Sequence, residues 1–96
     1  MQLEIITPET EIFKGEAEAV QFPGLDGSFQ VLNGHAPIIS ALSKGELKVN
    51  LTGALDEEVW KSTLIQKESA DAKVIRVAIK GGVMEMLNNK IIVLAE

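Results

Sequence analysis

Residues 24–42 read GLDGSFQVLNGHAPIISAL, and this stretch decides the fold class. Asp26-Gly27 and Asn33-Gly34 are two turn signals of the same kind, because glycine takes positive φ at little cost. Between them Ser28–Leu32 alternates, with Phe29 and Val31 on one face. Pro37 pushes Ala36 toward extended geometry, and the apolar run Ile38–Leu42 follows. Strands of about five residues between tight turns predict an all-β chain. The loop Asn33-Gly34-His35-Ala36-Pro37 also holds the only histidine in the sequence.

Toward the N-terminus, Leu3–Ile6 is β-rich and stopped by Thr7-Pro8, so it reads as an edge or first strand. Glu9–Gly15 reads as a turn whose Ile12 and Phe13 fold back on the core. Glu16–Phe22 alternates, with Val20 and Phe22 facing together and Ala17, Ala19 and Gln21 opposite; Pro23-Gly24 ends it. Toward the C-terminus, Glu46–Leu51 places Leu47, Val49 and Leu51 on one face. Val74–Lys80 does the same with Ile75, Val77 and Ile79. Gly81-Gly82 allows a bend or a close backbone approach. Asn88-Asn89 joins Val83–Leu87 to Lys90–Ala95 as a two-residue turn. Ile91–Ala95 is apolar on both faces, which predicts a central, covered strand. Met84 and Met86 alternate with Val83, Glu85 and Leu87. One of those faces is core, and a methionine-rich outer face would suit an adaptable interface.

Thr52–Lys73 breaks this rhythm. Asp56-Glu57-Glu58 is a plausible helix start, yet Val59–Ile65 would equally serve as a strand, and periodicity does not choose between them. Trp60 sits in this segment, either packed on the core or exposed as a contact surface.

The 96 residues fit a single domain with 46% hydrophobic and 24% charged residues. The absence of cysteine excludes a disulfide framework and thiolate metal sites. A net charge of −5 without a basic cluster disfavours nucleic acid and anionic membrane surfaces. The N-terminus lacks the basic and long apolar regions of a signal peptide, and no apolar run reaches the ~20 residues that span a bilayer. These features describe a soluble, acidic, cytoplasmic domain.

Catalytic readings find little support. His35 lacks a specified nucleophile or orienting acid, and a metal would need further ligands. Gly24–Gly27 and Gly81-Gly82 open no helix carrying Lys-Ser/Thr, so neither is a phosphate cradle. Glu57-Glu58 and the Glu9/Glu11 pair read as solvated carboxylates.

The order of four segments resembles the N-terminal domain of the epsilon subunit of F-type ATP synthase. They are LEIITPE from Leu3, Phe13-Lys14-Gly15, GLDGSFQVLNGHAPIISALSKGELKV from Gly24 to Val49, and IKGGVMEMLNNKIIVLAE from Ile79. The resemblance implies a ten-stranded β-sandwich of two packed sheets, with a longer insertion at about residues 52–73. It implies a non-catalytic central-stalk subunit of the F1 part of proton-translocating ATP synthase, coupling c-ring rotation to gamma. Such a subunit lies at the cytoplasmic face of the bacterial inner membrane, without inserting into it, and takes no cofactor. Thr7, His35 and Ser40 match positions that face gamma in the family. Ser28 matches a turn facing the polar loops of the c-ring, where members often carry an acidic residue. The family commonly continues into a two-helix hairpin that can bind ATP. This sequence stops at Glu96, so no ATP binding is expected of it. The choice of proton or sodium belongs to ligands in the c-ring. The alternative is a free-standing β-sandwich binding module that uses the Trp60 loop against a peptide or small ligand.

Overall fold

Strand β2, Glu11–Gly24, holds the molecule together. Fourteen extended residues would run roughly 45 Å if straight, yet the longest dimension of the molecule is 32 Å. The strand therefore bends, and its two halves serve different layers. Its first half pairs with β1 (Gln2–Ile6). Beyond a bulge between Ala17 and Ala19, its second half pairs with β5 (Gly45–Leu51) and β3 (Gly27–Leu32).

The computed structural model describes residues 1–53, 65–67 and 73–96. Among these the remaining strands are β4 (Ile38–Leu42), β6 (Ile65–Lys67), β7 (Val74–Ile79), β8 (Gly82–Leu87) and β9 (Lys90–Ala95). One layer runs β3-β2-β5-β7-β6. The other runs β2-β1-β9-β8-β4, with β1 parallel to β9 and the other pairs antiparallel. A single pair, Gly24 with Leu42, rejoins β4 to β2, so the pairings close into a ring. The nine strands of the described residues become ten when the two halves of β2 are counted separately.

The inward side chains of both layers form one core. Leu3, Ile5, Met84, Met86, Ile91 and Val93 from one layer cluster with Val20, Phe22, Val31, Leu47, Val49, Ile75 and Val77 from the other. This shared core makes the architecture a β-sandwich. Half-buried Phe29 packs against this core and stacks on Phe22, with ring centroids 5.3 Å apart and planes 26° apart.

Several expectations change in the structure. β1 is the first strand but lies between β2 and β9, not at an edge; Pro8 falls beyond the paired residues and limits nothing. Ile12 and Phe13 are buried as expected, but within β2 itself, because β1 residues Ile5 and Ile6 pair with Phe13 and Glu11 and leave Ile12 as an extra residue. The bulge at Glu18 likewise changes the phase of β2, so Ala17 joins Val20 and Phe22 in the core. A bulge inserts one residue and flips every side chain beyond it, which a strict period of two cannot show. Pro23-Gly24 belongs to β2, and the hairpin turn is Leu25-Asp26, with Gly27 (φ +120°) opening β3. Asn33-Gly34 does turn the chain, but β4 then crosses to the other layer and pairs with β8.

The last hairpin follows the sequence closely. Asn88 (φ 52°) and Asn89 (φ 59°) make its turn. Gly82 has φ +148°, and a Cβ there would overlap the carbonyl oxygen of Leu94 on the neighbouring strand. The helix reading from Asp56 and the strand reading of Val59–Ile65, with Trp60, lie outside the described residues except for Ile65, which opens β6.

Candidate interaction surface

The outward face of β4-β8-β9-β1 is apolar over much of its area. In register, Ala41, Val83, Leu94 and Ile6 form one row across four strands. Ile39, Glu85, Ile92 and Glu4 form the next, and Leu87, Lys90 and Gln2 a third. Ile39 is 71% exposed, Leu94 58%, Leu87 50% and Val83 45%. Four large apolar side chains on one sheet face are more than scattered surface hydrophobes, and such a patch marks an interaction surface.

This face arises because strands β8 and β9 carry apolar residues in both phases. One phase fills the core with Met84, Met86, Ile91 and Val93. The other has no element of the described residues laid over it. Two expectations are thereby corrected. β9 is central, but among the described residues it is covered on one side only. The methionines of β8 are core residues, and the outer phase is Val83, Glu85 and Leu87.

A charged margin closes the face on the β1 side. Lys14 Nζ lies 3.5 Å from Glu4 Oε1, and Lys90 Nζ lies 3.9 Å from Glu4 Oε2. Glu4 sits between two lysines on neighbouring strands, so on β1 the apolar area is limited to Ile6.

The four residues singled out from the sequence fall around this face in different ways. Thr7 borders one end of it, in a concavity shared with Ile6, Gly82, Val83, Leu94 and Glu96. Its backbone N–H donates to the Thr10 carbonyl at 2.8 Å, and its Oγ1 accepts from the Thr10 N–H at 3.1 Å. His35 lies beyond the opposite end, where Pro37, Ile39, Glu85 and Leu87 shape a second hollow. Ser40 is in β4 between them, but it points into the other phase from Ile39 and Ala41. It is half-buried, and its hydroxyl donates to the Ala41 carbonyl at 3.2 Å. Ser28 is exposed, opposite Pro23 beside the Leu25-Asp26 tip.

Ser28 and His35 both flank β3, which among the described residues pairs with β2 alone, and they stand at its opposite ends.

The loop that carries His35 is fixed rather than loose. The His35 N–H donates to the Leu32 carbonyl at 3.1 Å, closing a turn in which Gly34 has φ +79°. The Gly34 N–H donates to Asn89 Oδ1 at 2.8 Å. The Met1 ammonium donates to Asn33 Oδ1 at 2.8 Å and to the Ala17 carbonyl at 3.0 Å. The imidazole itself is exposed, with Nδ1 2.6 Å from the Ala36 carbonyl. Neither a nucleophile nor an acid is placed against its other nitrogen among the described contacts. No group of three or more His, Cys, Asp or Glu residues is gathered for a metal among the described residues. No helix among them is long and apolar enough to cross a membrane. What the site offers is shape and apolar area.

The chain has clear relatives. Residues 1–65 match the family ATP synthase, Delta/Epsilon chain, beta-sandwich domain. The chain is 34% identical over 95 residues to the ATP synthase epsilon chain of Chlorobium limicola, covering 99% of this chain and 88% of that one. It is 36% identical over 95 residues to the ATP synthase epsilon chain of Desulforamulus reducens, again over 99% of this chain but 58% of the relative. The fold is similar to a chain in the cryo-EM structure of the Tetrahymena thermophila mitochondrial ATP synthase central stalk and c-ring. That match has a TM-score of 0.69 at 16% identity, covering 99% of this chain and 62% of the other.

Proposed function

The chain belongs to the delta/epsilon β-sandwich family of ATP synthase, and on that premise we propose that its apolar sheet face is the surface that seats it on gamma in the central stalk. It is a structural and coupling subunit, not an enzyme. Its part in ATP synthesis is to transmit rotation from the c-ring to gamma. A close-packed core resists bending, which suits a part that carries torque.

The observation that carries this reading is the row of exposed Ala41, Val83 and Leu94 ending on half-buried Ile6, with exposed Ile39 and Leu87 beside it. Thr7 and the His35 loop, matched by resemblance to gamma-facing positions, border this face at its two ends. Ser28 and the Leu25-Asp26 tip (Leu25 is 66% exposed) stand on a separate corner, which suits polar loops of the c-ring. The complex would hold the chain at the cytoplasmic face of a bacterial inner membrane without inserting it.

Co-purification with gamma tests the reading. Leu94→Asp and Leu87→Asp each replace an exposed apolar side chain of the face with a charge and should abolish the complex, and His35→Asp should weaken it severely. Leu32→Asp serves as the control, since Leu32 is 55% exposed on the other layer. If Leu94→Asp folds normally and still binds gamma as the unaltered chain does, the face is not the seat.

A further inference from the structure

We infer that Glu85 is met by a basic side chain of gamma, an arginine by its shape, laid into the hollow between β4 and β8; this rests on the proposed seating of the face on gamma.

Glu85 pairs with Ile39 on one side and with Ile92 on the other. Val83 and Leu87 stand two residues before and after it and share its outward phase. Side chains directly across a strand pair lie about 5 Å apart, so four apolar side chains surround the carboxylate. Ile39, Val83 and Leu87 are exposed, and Ile92 is half-buried. Among the described residues no ion pair involves Glu85. The other carboxylate of the same row differs. Glu4 is 16% exposed and has Lys14 at 3.5 Å and Lys90 at 3.9 Å. One acid of the row is neutralised within the chain, and the acid surrounded by apolar residues is not.

In the free chain water reaches Glu85 and compensates its charge. A partner that covers Ile39, Val83 and Leu87 takes that water away. A buried charge without a partner is strongly unfavourable, so a surface that fits this face must bring a cation to that point. Lys90 stands diagonally from Glu85, opposite Leu87, but its ammonium is turned to Glu4.

The hollow sets the form of the cation. Pro37, Ile38, Ile39 and Leu87 wall it, and Glu85 is the one charged residue that lines it. A long basic side chain lays its aliphatic stem along such walls and keeps its charged head on the acid. The hollow on the other side of Glu85 is lined by Lys90 as well, which repels a second cation. A guanidinium suits the first hollow better than an ammonium does. It is less strongly hydrated, and its planar fork takes both carboxylate oxygens. The net charge of −5 draws a basic partner surface toward the chain.

The test titrates the chain into a gamma-containing F1 assembly stripped of its own copy of this subunit. Glu85→Leu should weaken binding by roughly thirtyfold or more, because the cation is left buried against apolar groups. Glu85→Gln, which keeps the shape and a polar surface, should weaken it by a smaller factor. Both should keep the circular dichroism of the unaltered chain, since the residue is exposed. The loss should persist in a Lys90→Ala background. On a face that binds by apolar contact alone, Glu85→Leu would tighten the complex. Binding that neither variant weakens, or a loss that vanishes when Lys90 is alanine, overturns the proposal. Leu94→Asp separates this result from the seating itself. If Leu94→Asp leaves binding intact, the seating falls and the cation with it. If it abolishes binding while Glu85→Leu does not weaken it, the seating stands and the cation alone falls.

Discussion

Replacing Gly82 with alanine tests the last hairpin most directly. Gly82 has φ +148°, a region that L side chains rarely adopt and that costs about 1–3 kcal/mol for a residue with a Cβ. The added methyl also overlaps the Leu94 carbonyl oxygen and comes 3.1 Å from the Ala95 Cα and 3.2 Å from the Leu94 carbonyl carbon. All three atoms are backbone, so no rotamer change relieves the contact. The β8–β9 ladder must open instead, and overpacking of this kind costs about 1–3 kcal/mol. Taken together, Gly82→Ala should cost roughly 3 kcal/mol or more. A domain of this length has about 5–14 kcal/mol in total, so the variant loses a large share. Thermal unfolding should fall by about 12–24 °C. Urea denaturation of the variant beside Gly53→Ala is the assay. Nothing lies within 4 Å of a Cβ built on Gly53, and no positive φ is recorded there, so that change should be neutral or stabilising by up to ~1 kcal/mol. If the two variants unfold within about 0.5 kcal/mol of each other at equal m-values, the account of the Gly82 bend is wrong.

Three further outcomes follow from the same structure. Met84 is fully buried, so Met84→Ala should lose about 2–5 kcal/mol; its exposed neighbour Val83→Ala should stay within about 0.5 kcal/mol, as read by denaturation midpoints. Asn89→Gly keeps the turn but removes the acceptor for Gly34 and should cost about 1 kcal/mol. Asn88→Gly has no such bond to lose and should be neutral or slightly stabilising, and hydrogen exchange at the Gly34 amide should rise in the first variant only. Gly24→Ala places a methyl 2.6 Å from the Gly27 carbonyl and 2.9 Å from the Phe29 ring. It should cost about 1–3 kcal/mol, and aromatic ring shifts of Phe22 and Phe29 should report the disturbed stack.

Local chemistry made much of this fold legible before any coordinates. β4 and β5 follow from Pro37, Ser43 to Gly45 and strict alternation of Leu47, Val49 and Leu51. The Asn88-Asn89 turn follows from the tolerance of asparagine for positive φ, and the Gly82 approach from a glycine pair between strands. His35 was legible as an exposed loop residue. The anchoring of its loop was not, because Asn89, which holds Gly34, lies 55 positions from that glycine.

Tertiary structure decided the rest. Whether an apolar strand is covered on both sides depends on how many layers the chain supplies. β9 reads as fully buried, yet among the described residues only one sheet lies against it, so Leu94 and Ile92 face out with Val83 and Leu87. That face, the main candidate site, follows from the closure of two layers around one core and from nothing local. The bulges of β2 are likewise set by its partners, since a strand serving two layers must change phase where it passes between them. Residues 24–42 settled by themselves that the chain is β and where it turns. The crossing of β4 into the second layer, which sets Ile39 beside Glu85, depends on pairings with residues forty and more positions away.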